Sequence, residues 1–388
     1  MILRREDLEA FERENLAPYA EHCAASRGRR IAENDDGFRT SFGRDRDRIV
    51  HSSAYRRLGN KTQVFITLEG EYYRTRLTHT EEVTQIALTI ARALGLNLDL
   101  TEAICRAHDL GHAPFGHAGE AVLAECMAAD GGFEHNAQAL RIVDLLEREY
   151  SDFPGLNLSW EVREGIAKHG RHALNGDAGD FLSFPQSCLE AQISDLADSI
   201  SYGCHDLDDG LAAGLLKWES LDEVSPEWWT RIRNEVTARS DGMAPDLARR
   251  FLKRYLVNLL VSDAITVTSM AIETLSPTCA DDIRRHDLPL IGFSEEIGLL
   301  RESLHQFLTT YLYRHHVVET MWVKAQRLIR SLFDTLLISP DQLPPHIRAR
   351  AVDEPLERVI CDHIAEMTDR AAVREYRRLF EFDLQILP

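Results

Sequence analysis

Three histidines and two carboxylates are concentrated in one short segment of the sequence, between residues 107 and 120. Imidazole and carboxylate groups bind divalent metals, and imidazole exchanges protons near neutral pH. A surface loop or an apolar core has no use for so many groups of this kind. The segment therefore predicts a metal-assisted hydrolytic site. The residues that carry this prediction are His108, Asp109, His112, His117 and Glu120.

The adjacent pair His108 and Asp109 suits a divalent metal, but two ligands do not hold a metal well. The other ligands must come from helices packed alongside. His79 is one candidate, because the apolar spacing after it places it on the inward face of a helix. The other candidate is an acid on a later helix, where Asp195 and Asp198 lie one turn apart on the same face. Helical periodicity alone does not distinguish between these two aspartates.

His117 and Glu120 are three residues apart at the predicted start of a helix. At this spacing the two side chains can share a hydrogen bond, which orients the imidazole and raises its basicity. The pair predicts a general acid/base dyad. The alternative is an ordinary helix start with a glutamate in its favoured first turn. His112 and His135 add two further imidazoles for contact with phosphate.

Two predicted helices position these groups. The first follows Thr78, which forms a capping box with Glu81, and it ends at Gly95. The second begins at Asp99 and ends at Gly111. The adjacent histidine and aspartate therefore lie in its last turn.

Apolar residues recur at helical spacing along most of the remaining sequence. The strongest strand candidate is 62–68, and with the turn that follows it predicts a minor β-hairpin near 62–74. The predicted fold class is therefore all-α with this one hairpin. Further helices are predicted at 119–130, 134–150, 189–207, 244–275, 293–335 and 354–380.

The composition is that of a large globular protein. The chain has 388 residues, 44% of them hydrophobic, which is enough to bury a large core. No window approaches the roughly 18 uncharged apolar residues that span a bilayer, and the first residues lack a signal-peptide pattern, so no membrane contact is expected. Seven scattered cysteines without a C-x-x-C pair predict reduced thiols and a cytoplasmic location. The net charge of −19 argues against nonspecific coating of nucleic acid.

One segment departs from this acidic balance. Between residues 39 and 76 basic side chains outnumber acidic ones, which indicates a compact polyanionic ligand, because arginine matches phosphate in charge and geometry. For any single arginine, a solvated side chain or a contact between subunits is the better interpretation. The basic residues are Arg39, Arg44, Arg46, Arg48, Arg56, Arg57, Lys61, Arg74 and Arg76.

Seven motifs spread over nearly the whole chain carry a resemblance to a known family. They lie at 46–51, 55–65, 76–79, 108–112, 115–120, 133–138 and 367–370. Through them the sequence resembles the deoxynucleoside triphosphate triphosphohydrolases, the dGTPase-like family of the HD superfamily. In that superfamily a metal is bound by an H…HD…D set of ligands.

The resemblance implies a role for each group of the candidate site. Asp198 is preferred over Asp195 as the last metal ligand, because the family's ligand lies four residues before a tyrosine, here Tyr202. His117 and Glu120 match the catalytic pair of the family. The implied metal ligands are His79, His108, Asp109 and Asp198.

Seven further positions match or lie near substrate contacts of the family. Tyr202 is expected to crowd a 2′-hydroxyl, and Asp206 is expected to accept a hydrogen bond from the 3′-hydroxyl. The positions near the triphosphate are Arg76, His112, His135 and Lys168. Those around the deoxyribose are Gln63, Tyr202 and Asp206.

The reaction implied by the resemblance is attack of water on the α-phosphorus of a deoxynucleoside triphosphate (dNTP). Its products are a deoxynucleoside and intact inorganic triphosphate. A divalent metal at the α-phosphate supplies Lewis-acid catalysis. Mg or Mn is the first expectation for this metal, while Fe, Ni, Co and Zn also suit ligands of this kind.

The expected organisation has three parts. Residues 1–74 form an N-terminal arm with the arginine-rich segment, 75–210 the HD core, and 211–388 a helical extension packed on that core. Expected partners are a dNTP substrate, an allosteric nucleotide, weakly bound single-stranded nucleic acid, and further copies of the chain in a homo-oligomer. The alternatives in function are another HD phosphodiesterase or 5′-nucleotidase, and a nucleotide or nucleic-acid binding protein with regulated or residual hydrolysis.

Overall fold

The computed structural model describes residues 2–64, 74–169, 179, 181–223, 226–240 and 245–381. Their regular structure is helical, which confirms the predicted all-α class. An antiparallel bridge joins Thr62 to Thr75, whereas residues 65–73 of the predicted hairpin lie outside the described residues. The helices are α1 (Arg5–Asn15), α2 (Ser41–His51), α3 (Ser53–Arg57), α4 (Arg76–Ala93), α5 (Leu98–Ala107), α6 (His117–Cys126), α7 (His135–Arg141), α8 (Trp160–Ala167), α9 (Leu189–Ala212), α10 (Pro226–Ser240), α11 (Pro245–Leu275), α12 (Ala280–Arg284), α13 (Glu295–Leu308), α14 (His316–Ile338), α15 (Pro345–Arg348), α16 (Leu356–Ala365) and α17 (Asp369–Phe380).

The start of α4 differs from the prediction. Thr75, and not Thr78, is the capping residue, because its hydroxyl accepts a hydrogen bond from the backbone nitrogen of Thr78. The helix therefore begins about one turn earlier than predicted. As a result His79 lies in the first turns of a well-anchored helix, with its side chain buried.

Helices α4, α5 and α9 pack against one another at the centre of the fold. One apolar core, which includes Ile90 and Leu256, extends from α4 and α9 to α11 and α13. A second, around Ile104, joins α2, α5 and α8, and a third, around Leu123, joins α6 to α14, α16 and α17. The first core contains residues from both sides of positions 74 and 210, so the predicted parts share one core. The three-part division of the chain stays a prediction.

Helix α11 is long and apolar enough to cross a membrane by length and composition alone. Its segment Asp246–Leu275 contains a window with a mean hydropathy of 1.5, and 33% of that window is buried. The sequence analysis did not single out this window. Leu252, Leu256 and Leu260 form a buried stripe at helical spacing. Because the helix packs on α4, α9 and α10, it belongs to the first core.

Gly111 permits the close approach that brings α7 to the end of α5. A Cβ atom on Gly111 would lie 1.9 Å from the carbonyl oxygen of His135 and 2.4 Å from the backbone nitrogen of Ala139. Both neighbours are backbone atoms of α7, and they cannot move aside as a side chain does. Only glycine allows this packing without a shift of the helix.

We expect Gly111→Ala to lower the free energy of unfolding by about 3 kcal/mol or more, because the clash forces α7 away from the site. Thermal or urea denaturation measures the change. Gly298→Ala is the control: Gly298 lies in α13 with open space around its Cα, so alanine there is expected to stabilise the protein by about 1 kcal/mol. Equal effects of the two substitutions would contradict the close-approach explanation.

Candidate metal centre and acid–base pair

Three helices bring the predicted metal ligands together. His79 lies in α4, His108 and Asp109 follow α5 directly, and Asp198 lies in α9. The first three side chains are buried, whereas that of Asp198 is 30% accessible. The site therefore opens on the side of α9.

The donor atoms of this set are close to one another. Nε2 of His79 lies 2.8 Å from Oδ1 of Asp198, and Nε2 of His108 lies 3.4 Å from Oδ1 of Asp109 and 3.9 Å from Oδ1 of Asp198. The donors of His79, His108 and Asp109 all lie within 4.8 Å of one another. A cation bound at about 2.1 Å from each ligand fits among such donors with small side-chain adjustments.

His108 is oriented as a metal-binding histidine. Its Nδ1 lies 2.6 Å from the carbonyl oxygen of Cys105, to which it donates a hydrogen bond. The unprotonated Nε2 then faces the carboxylates of Asp109 and Asp198, and it is buried without a hydrogen-bond partner among the described residues. A backbone carbonyl that fixes the ring in this way is a common second partner of metal-binding histidines. The orphaned nitrogen therefore fits a divalent metal.

The surroundings of three of the four candidate ligands favour the charge states that bind a metal. At the fourth, His79, burial is outweighed by the hydrogen bond with Asp198, which raises the pKa of the imidazole. Burial alone raises the pKa of Asp109, but the Arg76 guanidinium, 3.0 Å from Oδ2, and the neighbouring His108 outweigh it and hold that pKa well below its usual range. Burial lowers the pKa of His108, which keeps this imidazole neutral. For Asp198, hydrogen bonds with His169 and His79 outweigh burial and lower the pKa well below its usual range. Neutral imidazoles and ionised carboxylates are the forms that coordinate divalent cations.

The predicted dyad lies beside this centre. His117 is the first residue of α6, and its Nδ1 is 3.3 Å from Oε2 of Glu120. Oε1 of Glu120 accepts from the backbone nitrogen of His135 at 3.1 Å and lies 2.8 Å from Nδ1 of that ring. Burial raises the pKa of Glu120, but His117 and His135 outweigh it and lower that pKa far below the usual range. The carboxylate is thus ionised, and 61% of the His117 side chain is accessible to a ligand.

His112 connects the metal centre to the dyad. Its Nε2 lies 3.1 Å from Oδ1 of Asp109, and its Nδ1 lies 3.8 Å from Oε2 of Glu120. Its ring stacks on that of His135, with the centroids 4.1 Å apart. The cluster in the sequence therefore divides into a candidate metal centre and a candidate acid–base pair. The buried imidazole of His112 lies next to both.

The turn between the candidate metal centre and the acid–base pair is anchored by a residue of α17. Phe115 and Gly116 both have positive φ angles, 62° and 58°, which is uncommon for a bulky residue such as Phe115. Oδ1 of Asp369, the first residue of α17, accepts a hydrogen bond from the backbone nitrogen of Phe115 at 2.9 Å, and Oδ2 accepts one from that of Thr62 at the same distance. The sequence motif that contains Asp369 was recognised, but no role was assigned to it.

Lys61 is a second anchor that sequence reasoning missed. Its ammonium group is fully buried and donates to the carbonyl oxygens of His112 at 2.5 Å and Ala365 at 2.9 Å. Burial lowers the pKa of Lys61 to about 7. The side chain therefore holds the site to α16 and is not available to a ligand.

The arginine-rich segment differs from the prediction. Besides Arg76, seven of its arginines form ion pairs with acids of the protein, and these pairs give no support to a polyanion site. Arg76 is the member of the segment that contacts the candidate metal centre in the described structure. The pairs are Arg39 with Asp36 and Asp47, Arg44 with Glu33, Arg46 with Asp47 and Asp99, Arg48 with Glu33, Arg56 with Glu149, Arg57 with Glu147 and Glu366, and Arg74 with Glu82, Asp208 and Asp209.

Two of the residues predicted around a sugar, Tyr202 and Asp206, both contact Tyr313. Asp206 lies two turns beyond Asp198 on α9 and accepts a hydrogen bond from the hydroxyl of Tyr313 at 2.6 Å. The ring of Tyr202 packs against that of Tyr313, with the centroids 5.7 Å apart. Gln63 has a buried Oε1 without a hydrogen-bond partner among the described residues. Sequence reasoning missed Tyr313, which comes from a π-helical turn after α13.

Lys168 and His169 follow α8 and have different surroundings. Nζ of Lys168 contacts Glu164 at 3.2 Å and the carbonyl oxygens of Phe184 and Gln186 at 3.0 and 2.8 Å. These contacts give no support to its predicted role at the triphosphate. His169, which had no predicted role, faces the metal centre instead, with its Nε2 3.5 Å from Oδ2 of Asp198.

The helical fold and this ligand arrangement define an HD-domain protein. The HD domain model matches residues 76–203, and the model of the phosphohydrolase-associated domain matches residues 291–378.

Several full-length relatives carry the name deoxyguanosinetriphosphate triphosphohydrolase-like protein. The one from Ralstonia nicotianae is 49% identical over 95% of this chain and 96% of its own. The one from Bordetella pertussis is 50% identical over 94% of this chain and 96% of its own. The one from Geobacter sulfurreducens is 47% identical over 98% of this chain and 99% of its own. The chain belongs to the family of deoxyguanosinetriphosphate triphosphohydrolase-like proteins.

We expect Asp369→Asn to lower the free energy of unfolding by about 2 kcal/mol, because an amide cannot accept hydrogen bonds on both sides as the carboxylate does. Turnover of a dNTP should fall by about 10²-fold, since the turn between the metal centre and the dyad is released. The bound metal, measured by elemental analysis, should stay unchanged. Asp353→Asn, at an exposed site, is the matched control. Unchanged turnover in Asp369→Asn would show that the turn needs no anchor.

The pKa of Asp206 predicts a stability difference that depends on pH. Burial raises that pKa from 3.8 to about 7, so the folded protein binds this proton more tightly than the unfolded chain does. The native stability that protonated Asp206 contributes is therefore lost as pH rises from about 4 to 7. In metal-free protein, Asp206→Asn should gain stability over the unmodified chain across this range and show a constant gain above it.

Melting temperatures at pH 5, 6, 7 and 8 measure this difference. Asp334→Asn, exposed on α14, is the control for removal of a carboxylate. A difference between Asp206→Asn and the unmodified chain that does not change with pH would contradict the prediction.

Proposed function

We propose that this protein is a metal-dependent dNTP triphosphohydrolase that cleaves its substrate into a deoxynucleoside and inorganic triphosphate. The observation that carries the proposal is the pairing of a buried His/Asp centre with an ion-paired, accessible imidazole through the shared His112. The names of its relatives support the same substrate class. A metal centre next to an acid–base pair suits the attack of water on the α-phosphorus.

The residues that would hold a divalent metal are His79, His108, Asp109 and Asp198. When bound, the metal supplies Lewis-acid stabilisation of charge on the α-phosphate. Arg76 keeps Asp109 ionised and lies at the same centre, so its guanidinium is placed for contact with phosphate oxygens. Mixed imidazole and carboxylate ligands suit Mg or Mn first, and also Fe, Ni, Co or Zn.

His117 is the group that moves a proton. The ionised Glu120 orients its Nδ1 side and stabilises the imidazolium that forms when Nε2 takes a proton. His135 holds the other oxygen of Glu120, so the carboxylate keeps its direction during the transfer. The buried, neutral ring of His112 lies between the dyad and Asp109, where it contributes a hydrogen bond without adding charge.

The group around Asp206 would bind the deoxyribose. A carboxyl held by Tyr313 can bind a 3′-hydroxyl, and the ring of Tyr202 leaves little room for a 2′-hydroxyl. This arrangement supports a preference for deoxynucleotides over ribonucleotides. Gln63 and Lys168 stay predictions as substrate contacts.

The remaining partners and the location are part of the proposal. All seven cysteines are free thiols, which supports a reducing compartment such as the cytoplasm. A homo-oligomer, an activating nucleotide and weak binding of single-stranded nucleic acid stay predictions from the resemblance.

Incubation with each of the four dNTPs and Mn²⁺ or Mg²⁺ tests the proposal. We expect a deoxynucleoside and triphosphate in equal amounts, separated by ion-exchange chromatography and identified by phosphorus NMR. Release of orthophosphate or pyrophosphate, or no turnover of any dNTP, would contradict it.

His117→Ala is the matched variant for this experiment. Turnover should fall at least 10²-fold because the proton-transfer group is lost, while the metal content stays the same. His286→Ala, at a partly buried histidine in a loop after α12, is the control. Loss of metal in parallel with activity would show that His117 belongs to the metal centre.

A further inference from the structure

One face of α9 borders the open side of the candidate metal centre. Residues three and four apart on a helix share a face, so Ser199 lies on the same side as Asp195 and Tyr202, and it directly follows the candidate ligand Asp198. A ligand that approaches Asp198 from solvent therefore comes next to Ser199. The partly exposed residues of this stretch of α9 are Asp195, Leu196, Asp198, Ser199, Tyr202 and Gly203.

Arg301 holds a guanidinium at this opening. It lies in α13, which packs on α9, and its Nη1 donates a hydrogen bond to Oγ of Ser199 at 2.7 Å. Its Cζ atom lies 5.7 Å from the centroid of the Phe293 ring, a distance typical of cation–π contacts. These two contacts fix the direction of a side chain that comes from 102 residues further along the sequence than Ser199.

The guanidinium of Arg301 is available to a ligand. Its side chain is exposed, and it forms no ion pair with a carboxylate of the residues that the structure describes. It differs in this from the seven paired arginines of the arginine-rich segment, whose acids lie beside them. It also differs from Lys168, whose ammonium group contacts Glu164 and two backbone carbonyls. An exposed guanidinium with unused donors is well suited to phosphate oxygens.

The charges of the centre favour an additional guanidinium at this place. The carboxylates of Asp109 and Asp198 would balance one divalent cation, which leaves Arg76 as the positive charge beside them. A triphosphate carries several negative charges, and one arginine offsets a single one of them. A guanidinium held next to Asp198 supplies further positive charge without occupying the position of a metal ligand.

We propose that Arg301 is a substrate-binding residue that contacts the β- and γ-phosphates of a dNTP at the open side of α9. The proposal rests on the proposed function, which places the α-phosphate at the metal centre. Ser199 and Phe293 hold the guanidinium, and its remaining N–H groups reach the phosphates. Because these contacts lie away from the bond that is cleaved, they stabilise the ground state and the transition state alike. Arg301 thereby raises the affinity for the substrate and leaves the chemical step unchanged.

Binding of inorganic triphosphate at saturating Mn²⁺, measured by isothermal titration calorimetry, tests the proposal. Arg301→Ala should weaken this binding about tenfold, because charge-assisted hydrogen bonds are lost. The metal content and the affinity for a deoxynucleoside should stay unchanged. Arg301→Lys keeps the charge but lacks the planar fork, so its affinity should fall less, by about threefold. In turnover of a dNTP, Arg301→Ala should raise KM about tenfold at an unchanged kcat.

Arg377→Ala is the matched control. Arg377 is an arginine of α17 with 65% of its side chain exposed, so this substitution removes the same charge from another part of the surface. We expect its triphosphate affinity and its KM to equal those of the unmodified chain. Circular dichroism of every variant confirms that it is folded.

No binding of triphosphate to the unmodified chain, or an unchanged affinity in Arg301→Ala, would overturn the proposal. An equal loss of affinity in Arg377→Ala would overturn it as well, because the effect would then come from the net charge of the protein. The product assay separates the two proposals: triphosphate binding that depends on Arg301, without release of triphosphate from any dNTP, would reject the proposed reaction and leave the phosphate contact standing.

Discussion

The ionised carboxylate of Asp109 is the group around which the site is built. It is buried, so the protein must surround its charge with donors, since an unpaired buried charge costs several kcal/mol. Arg76 satisfies one oxygen at 3.0 Å, and His112 approaches the other at 3.1 Å. These contacts determine where α4, the end of α5 and the following turn lie relative to one another. His112, which approaches this charge, also lies 3.8 Å from Glu120, so it links the candidate metal centre to the candidate acid–base pair.

Local patterns in the sequence predicted the parts of the site that depend on helix geometry. The apolar stripe placed His79 inward, and the three-residue spacing of His117 and Glu120 matched the first turn of α6. The start of α4 was wrong because two threonines three residues apart satisfy the same capping pattern, and the structure uses Thr75. Periodicity also left Asp195 and Asp198 equivalent, because residues one turn apart share a face.

Contacts between distant parts of the chain were beyond these patterns. Asp369 and Tyr313 reach Phe115 and Asp206 from more than a hundred residues away, and no spacing in the sequence connects these partners. Composition was misleading for the arginine-rich segment, since a count of charges does not show which ones are paired. His169 was missed for a third reason: a lone histidine at the end of a helix is ordinary until Asp195 and Asp198 are seen beside it.

The anchors of the active-site turn have a consequence for the newly made protein. A chain leaves the ribosome from its N-terminus, and its segments fold in that order. The candidate ligands at 79, 108, 109 and 198 therefore leave the ribosome well before residues 365 and 369 do. The carboxylate of Asp369 and the carbonyl of Ala365, which hold the turn after the candidate metal centre, follow Asp198 by more than 160 residues. Assembly of the candidate ligands and fixation of this turn can thus be separate steps of folding.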